Sequence, residues 1–521
     1  MFILAPAGYA QTDTLDQYYS VDFNQDIDKF EREHDQLDAK KVKIIPYRQG
    51  AFYGFVEPGK PDKFIIKPRF EQVYGVYEHG AIVKDTNYGY GLIDYKGAYL
   101  ISPNFSNLYK EGNTFHGSFY SQVDSTYGLS DSYNSCFVHY YFDLSGNLLF
   151  SEVTHEFEGF TAGDSLAQFR FGRTIHIRSN TGRLVKSFKL DSTYEFVGIS
   201  NNLIVTMSLP DSNWNYTYTA KTADDVTEFS ITLDHGSLKG VYKLGGNHFG
   251  LLGRHGDYFF ADSNGVSTGY GSYSNSIGMI TSYAEFFTQN QFIVKNQETK
   301  LYGVVDRAGK AITAFKYSRI FPFINNSCFA KINSEIVNIN GRRTETNKDS
   351  KVVIIDTEGN ERLYTGMYPD VEQYQTLMTP PGFYDGLLLT KDFTLMYDEN
   401  DTLKLHPYHD LDSMHYVFVD ESGQVQITLP NSIVFVGVFS EGLAAAVNKD
   451  RQLGFINKKG EWAIAPEFEL TLAGAYPMPY LITPQFLGGY AYIKSHKGYI
   501  DKKGNKYFDG KRMQDRYNFS H

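Results

Sequence analysis

The chain has 521 residues, too many for one ordinary hydrophobic core, and this length predicts several domains or one long repeat array. Its 42% apolar content predicts a folded chain rather than a disordered one, and no apolar run reaches the length of a transmembrane helix. The formal net charge of −11 argues against a polyanionic partner such as nucleic acid.

The N-terminal region contains two elements that differ from the rest of the chain. Residues 1–10 end in Gly-Tyr-Ala before Gln11, which resembles the small-x-small end of a signal peptide and predicts export to the periplasm or cell surface. A cytoplasmic N-terminus is the alternative. Residues 11–41 are acidic, and their apolar side chains at helical spacings predict one short amphipathic helix. These apolar residues are Phe23, Ile27, Phe30 and Leu37.

From Lys41 onward a β-type phrase recurs along the chain. One copy, AIVKDTNYGYGLID at residues 81–94, runs from a short apolar strand through a polar turn to a residue pair of aromatic plus glycine. The next turn, Asp94 to Gly97, has Asp first and Gly fourth, as in a type I turn followed by a left-handed glycine. The other clear turns pair Asp306 with Gly309, Asn457 with Gly460 and Asp501 with Gly504. Each unit is thus predicted to be a three-stranded antiparallel meander, whose ladder Pro103 and Pro466 are expected to stop.

About ten such units can be counted, at the ~40-residue period typical of blade-type repeats. The quoted phrases resemble WG repeats, also called KWG repeats, over roughly residues 42–108, 292–320 and 436–508. The resemblance implies β-rich tandem units and supplies no catalytic residues. We divide the repeats into residues 42–346 and 347–521. The fold class predicted is all-β with propeller-like blades, and an open curved β-solenoid is the alternative.

One short motif would indicate an enzyme. Gly163-Asp164-Ser165-Leu166 spells the nucleophile motif of GDSL hydrolases, and the downstream pair Asp412 and His415 would complete a triad. In that family the serine opens a helix in an α/β fold, whereas Ser165 precedes a predicted strand. We therefore predict no catalytic residues and no enzyme activity, and we keep a GDSL-like esterase as the least favoured alternative.

Metal and thiol chemistry have little support in the sequence. The stretch HPYHDLD at residues 406–412 contains possible metal ligands, but its polar, proline-containing surroundings indicate an exposed loop. The two cysteines, Cys136 and Cys328, are too few for a disulfide framework and are expected to be free. No cofactor and no metal are predicted.

A strictly alternating stretch is the best candidate for ligand contact. In Asn213-Trp214-Asn215-Tyr216-Thr217-Tyr218-Thr219, a strand would place Trp214, Tyr216 and Tyr218 on one face. Such a row suits stacking on a sugar or docking a protein, and the alternative is packing against the next unit. The predicted function is therefore a non-catalytic binding or scaffold protein with a protein or glycan partner. A glycan-binding module of a surface assembly is the alternative.

Overall fold

The structure is a computed structural model that describes most of the repeat region. The described residues are 37, 43–86, 88–122, 135–154, 166–171, 174–189, 194–200, 202–212, 215–234, 238–245, 248–253, 258–262, 270–271, 290–296, 298–307, 309–333, 335–339, 342–346, 351–367, 369, 377, 381–392, 415–469, 472–473, 480–481 and 483–509. Of the predicted N-terminal helix, only Leu37 lies among them. No helix in the described ranges is both long and apolar enough to cross a bilayer.

The described residues fold into nine small antiparallel sheets of three or more strands, arranged as the blades of a β-propeller. The all-β, propeller-like prediction is therefore confirmed. The strands of the first five sheets are β1 (Ile45–Gln49), β2 (Phe52–Glu57), β3 (Lys60–Phe70), β4 (Gln72–Tyr77), β5 (Gly80–Lys84), β6 (Tyr90–Ile93), β7 (Tyr99–Phe105), β8 (Asn107–Glu111), β9 (Thr114–Gln122), β10 (Ser135–Phe142), β11 (Leu148–Thr154), β12 (Leu166–Phe171), β13 (Thr174–Ser179), β14 (Leu184–Lys189), β15 (Tyr194–Ser200), β16 (Leu203–Ser208), β17 (Asn215–Lys221) and β18 (Thr227–Asp234).

The second half of the chain continues the same meander pattern. Its strands are β19 (Leu238–Gly245), β20 (His248–Gly253), β21 (Tyr258–Asp262), β22 (Tyr270–Gly271), β23 (Gln291–Asn296), β24 (Tyr302–Asp306), β25 (Tyr317–Ile320), β26 (Ser327–Ile332), β27 (Glu335–Ile339), β28 (Arg342–Thr346), β29 (Lys351–Asp356), β30 (Glu361–Tyr364), β31 (Leu388–Asp392), β32 (His415–Val419), β33 (Val425–Thr428), β34 (Ile433–Ser440), β35 (Leu443–Asn448), β36 (Gln452–Asn457), β37 (Trp462–Glu469), β38 (Leu472–Ala473), β39 (Tyr480–Leu481), β40 (Tyr490–Ile493) and β41 (Gly498–Asp501). One 3₁₀ turn, Lys494–His496, joins the last two strands.

Each sheet has an inner and an outer edge. Strand order follows chain order within most sheets, so the first and last strands form opposite edges. The first strands of neighbouring sheets contact each other, with β12 against β15, β15 against β19, and β31 against β34. The first strands therefore lie toward the propeller axis, and the last strands form the outer rim.

The Asp-x-x-Gly turns adopt the predicted conformation. Gly97 has φ +88°, its N–H donates to the Asp94 carbonyl at 3.1 Å, and Asp94 Oδ1 accepts the backbone N–H groups of Lys96 and Ala98. A side chain at such a φ is strained, and glycine avoids the strain because it lacks a Cβ. Left-handed φ values recur at Gly146, Gly309, Gly359, Gly423, Gly460 and Gly504.

These turns also form a repeated contact between blades. A Cβ added at Gly97 would lie 3.3 Å from Ile66 Cδ1, on the last strand of the preceding sheet. A Cβ at Gly460 would likewise lie 3.0 Å from Ile427 Cγ2 on β33. The tip of each such hairpin therefore rests on the outer strand of the blade before it, which is how neighbouring units bury apolar surface that one meander alone leaves exposed.

The prolines occupy bulges inside the outer strands, and the expectation that they stop the ladder is wrong. β7 continues past Pro103 to Phe105, and β37 continues past Pro466 to Phe468. The register shifts at these prolines because the strand passes a glycine of the neighbouring strand, Gly91 or Gly454, at very short range. A Cβ at Gly454 would lie 2.7 Å from the Ile464 carbonyl oxygen and from Pro466 N. A bulged proline tolerates this arrangement because it has no N–H to pair.

The two ends of the array meet at a seam between β1–β2 and residues 490–509. Arg48 forms a parallel bridge with Phe508, and its backbone N–H donates to the Tyr507 carbonyl at 3.1 Å. The Asp509 N–H in turn donates to the Arg48 carbonyl at 3.0 Å. These contacts join the first sheet to the last hairpin, so the ring is closed rather than an open solenoid.

Buried side chains reinforce this seam. The Arg48 side chain is only 1% exposed, and its guanidinium donates to the carbonyl oxygens of His496 and Gly50, both at 2.6 Å. Tyr53 donates its hydroxyl proton to the Lys497 carbonyl at 2.9 Å. Burial raises the pKa of Tyr53 to about 12, so this hydroxyl keeps its proton at neutral pH.

Candidate binding surface

The outer rim carries exposed apolar side chains at one recurring position. This position lies two residues after the left-handed turn glycine, where the last strand of a sheet begins. The residues that occupy it are Leu148, Leu184, Val425 and Trp462, which are 55%, 46%, 45% and 36% exposed. We call these four residues the rim set. Each follows its turn glycine at 146, 182, 423 or 460 by the same interval.

The local fold explains why these positions point to solvent. Along β11 the exposed Leu148 is followed by the half-buried Leu149 and the buried Phe150. Strand alternation would put Leu148 and Phe150 on one face, but the register with β10 shifts between them, and this bulge turns Leu148 toward solvent. β11, β14, β33 and β37 are each the last strand of their sheet, so no further strand covers their outer edge. Singly scattered apolar residues are ordinary on protein surfaces, but here the repeat returns them to one position on four outer strands, in two pairs of neighbouring sheets.

The aromatic row predicted as a ligand-binding face lies partly in the core. Tyr218 is 1% exposed, and its hydroxyl oxygen accepts the Leu238 N–H of the next sheet at 3.1 Å. Tyr216 is half-buried against the same apolar cluster. Trp214 lies outside the described residues. The structure thus places Tyr218 between units, and the ligand-binding role of the row stays a prediction.

The predicted alternatives for catalysis and metal binding fall mostly outside the described residues. This applies to Ser165, to Asp412 and to the 406–412 stretch. His415 is described: it begins β32, and its Nδ1 donates to the carbonyl of Leu429, just after β33, at 3.2 Å. Among the described residues no cluster of three metal-ligating side chains occurs. Cys328 is free and buried, and burial raises the pKa of its thiol, which keeps it protonated.

A buried polar row in the third sheet was not predicted from the sequence. The Tyr109 hydroxyl hydrogen-bonds His116 Nδ1, His116 Nε2 lies 2.8 Å from His139 Nδ1, and His139 Nε2 lies 2.8 Å from Thr154 Oγ1. The four side chains come from β8, β9, β10 and β11 and cross the whole blade. Both histidines are fully buried, so the row ties strands together and offers no group to an external ligand. Only strand register brings His116 and His139 together, and spacing in the sequence does not reveal it.

The comparisons with known proteins bear on the repeats and on the fold. A family model described as a WG containing repeat matches residues 302–334 and 454–471. No curated protein matches the chain. Among solved structures, the crystal structure of a eukaryotic initiation factor is 10% identical, covering 74% of this chain and 95% of that one, with a TM-score of 0.35. BamB from Moraxella catarrhalis is 9% identical, covering 76% of this chain and 94% of that one, with a TM-score of 0.25.

Both matched segments contain the features described above. Residues 302–334 begin at the Tyr302-Gly303 pair and include β24 to β26. Residues 454–471 begin at the close-approach glycine, Gly454, and include most of β36 and all of β37. The family resemblance predicted from the sequence is confirmed at these segments: the chain contains WG-type repeats at residues 302–334 and 454–471.

Proposed function

We propose that this chain is a non-catalytic binding protein whose outer rim contacts a protein partner. The observation that carries the proposal is the rim set: exposed apolar side chains that the repeat places at one position on several outer strands. Partly exposed leucine, valine and tryptophan side chains gain free energy when a partner covers them, at roughly 25 cal/mol per Å² of apolar area. Edge strands also offer unpaired backbone groups to an added strand.

The rim can be tested with a triple variant, Leu148→Ser, Leu184→Ser and Trp462→Ser. We expect its unfolding free energy to fall by no more than about 1 kcal/mol per site, since these side chains are 36% to 55% exposed and none belongs to the core. Capture of the partner from the native cell, measured by quantitative cross-linking mass spectrometry against wild-type bait, should fall by about tenfold or more.

A matched control removes as much exposed apolar surface away from the rim position. Leu209, Val434 and Leu487 are 52%, 46% and 46% exposed, and none lies on the last strand of a sheet. The triple variant with serine at these three residues should capture the partner as wild type does. If no protein distinguishes the two variants, the rim is not the binding surface. Selective binding to a glycan array would instead favour the glycan-binding alternative.

We further propose that the protein is exported from the cytoplasm. The small-x-small sequence at residues 8–10, which resembles the end of a signal peptide, supports this. We expect the mature protein isolated from its native cell to begin at Gln11, because signal peptidase cleaves after such a sequence. N-terminal sequencing of the purified mature protein measures this directly. Recovery of the intact Met1 terminus from the cytoplasmic fraction would contradict export.

A further inference from the structure

The outer strand of the first sheet is strongly basic, although the chain as a whole is acidic. β3, the outer edge of the first sheet, carries four basic residues and one acidic residue. The basic residues are Lys60, Lys63, Lys67 and Arg69, and the acidic residue is Asp62. Lysines on an exposed edge commonly protect it from pairing with other chains, so charge alone does not indicate a ligand.

Neighbouring carboxylates neutralise only part of this charge. Glu57 pairs with Lys60 at 2.5 Å and with Lys63, and these hydrogen bonds lower the pKa of Glu57 to about 2. Lys67 and Lys96 have no carboxylate partner among the described residues. Two cations are therefore left for another group, on the side of β3 that faces the next hairpin.

That side of β3 forms an open cavity of about 490 Å³. It is lined by residues 65–69 of β3 and residues 96–98 of the Asp94–Gly97 hairpin. Arg69 bridges its two walls by donating to the Gly97 carbonyl at 2.8 Å, and Ile65, 43% exposed, adds an apolar surface. We call this cavity the basic groove. Its combination of cations and one exposed aliphatic side chain suits an acidic segment that also carries apolar residues.

The chain itself contains such a segment, immediately before the described structure. Residues 12–36 include eight acidic and two basic residues, a formal net charge of −6, together with Phe23, Ile27 and Phe30. Leu37, which follows this segment, is 3% exposed and lies in the apolar cluster that also contains Ile66 of β3. The C-terminal end of the segment is thus anchored in an apolar cluster that the blade bearing the basic groove shares with its neighbours.

A second contact brings the entering chain to the other wall of the groove. The Lys43 ammonium lies over the Tyr95 ring, 5.7 Å from its centroid, and Tyr95 belongs to the hairpin that supplies Lys96 to the groove. A segment held this close has a high effective concentration at the groove, so weak charge pairs are enough to hold it there. We propose that the acidic segment, residues 12–36, docks in the basic groove of its own chain.

Photo-cross-linking of the full chain tests this docking. The substitution Ile65→benzoylphenylalanine puts a photoreactive side chain at the exposed edge of the groove. The peptides that it cross-links can be mapped by mass spectrometry. We expect the major cross-links to reach residues 12–36 within monomeric protein. Their yield should fall as salt is raised from about 0.05 to about 0.5 M, because the Debye length shortens several-fold. Cross-links that go to a second copy, to other parts of the chain, or to nothing would overturn the proposal.

Charge reversal separates docking from chance proximity. Lys67→Glu with Lys96→Glu should lower the cross-link yield by about fivefold or more, while the arginine versions of both residues retain it. Lys449→Glu with Lys459→Glu alters two exposed lysines far along the chain, changes the net charge equally, and should leave the yield at the wild-type level. Equal yields from the two charge-reversed proteins, with circular dichroism showing both folded, would also overturn the proposal.

Discussion

The variant Gly454→Ala is expected to unfold at a clearly lower urea concentration than wild type. A Cβ at this position would lie 2.7 Å from the Ile464 carbonyl oxygen and from Pro466 N, and both contacts are to backbone. Neither can move without distorting the bulge in β37, so we expect a loss of about 2–3 kcal/mol, the scale of overpacking in a well-packed site. Alanine also lowers the conformational entropy of the unfolded chain, which stabilises the folded state by about 0.4–1 kcal/mol. This gain offsets only part of the cost of the clash.

Gly303→Ala is the matched control, because Gly303 occupies the same position in another matched repeat. Its added Cβ would lie 3.0 Å from the Phe315 ring, which is a side chain that can shift. We expect a cost of about 1 kcal/mol or less at this site, since a ring can rotate away from the new methyl group. Equal losses at both glycines would show that close backbone approach is not the reason for glycine at this position of the repeat.

Features encoded within a few residues were predictable from the sequence. The Asp94–Gly97 turn depends on one carboxylate, one left-handed glycine and their spacing, all of which are local, and the structure contains it as predicted. Tandem repetition of that local unit then implied strands, blades and a propeller-like array. The role of Pro103 was mistaken because its position depends on how closely β7 passes Gly91, which the spacing of residues does not encode.

Features that depend on contacts between distant residues were not predictable. The alternation at 213–219 correctly groups Tyr216 with Tyr218, but whether that face is covered depends on the placement of Leu238 in the next sheet. Likewise, His116 and His139 meet only through the register of β9 and β10. The rim set is only partly a sequence feature. Its position two residues after a turn glycine is visible in the sequence, but the exposure of that position is known only from the structure.

Ring closure also lies beyond local sequence, since Arg48 and His496 are separated by 448 residues. The variant Arg48→Ala should therefore weaken the seam strongly. The substitution removes the N–H donors that hydrogen-bond the His496 and Gly50 carbonyl oxygens. It also removes the positive charge that lies 3.5 Å from the Asp509 carboxylate. Truncating one member of such a buried, charged network costs about 3–5 kcal/mol. We expect this loss in urea unfolding.

Amide hydrogen exchange should show that the stability lost in Arg48→Ala is lost at the seam. The Asp509 N–H donates to the Arg48 carbonyl, and the Tyr507 N–H donates to the Tyr499 carbonyl within the same closing hairpin. Both amides should exchange faster in Arg48→Ala, because the hairpin opens locally before the ring unfolds. Arg362→Ala is the control: Arg362 is 45% exposed and pairs with Glu421 at the surface, so its loss should cost no more than about 1 kcal/mol. If Arg48→Ala exchanges and unfolds as Arg362→Ala does, the seam does not depend on the buried guanidinium and the backbone pairing of residues 507–509 alone closes the ring.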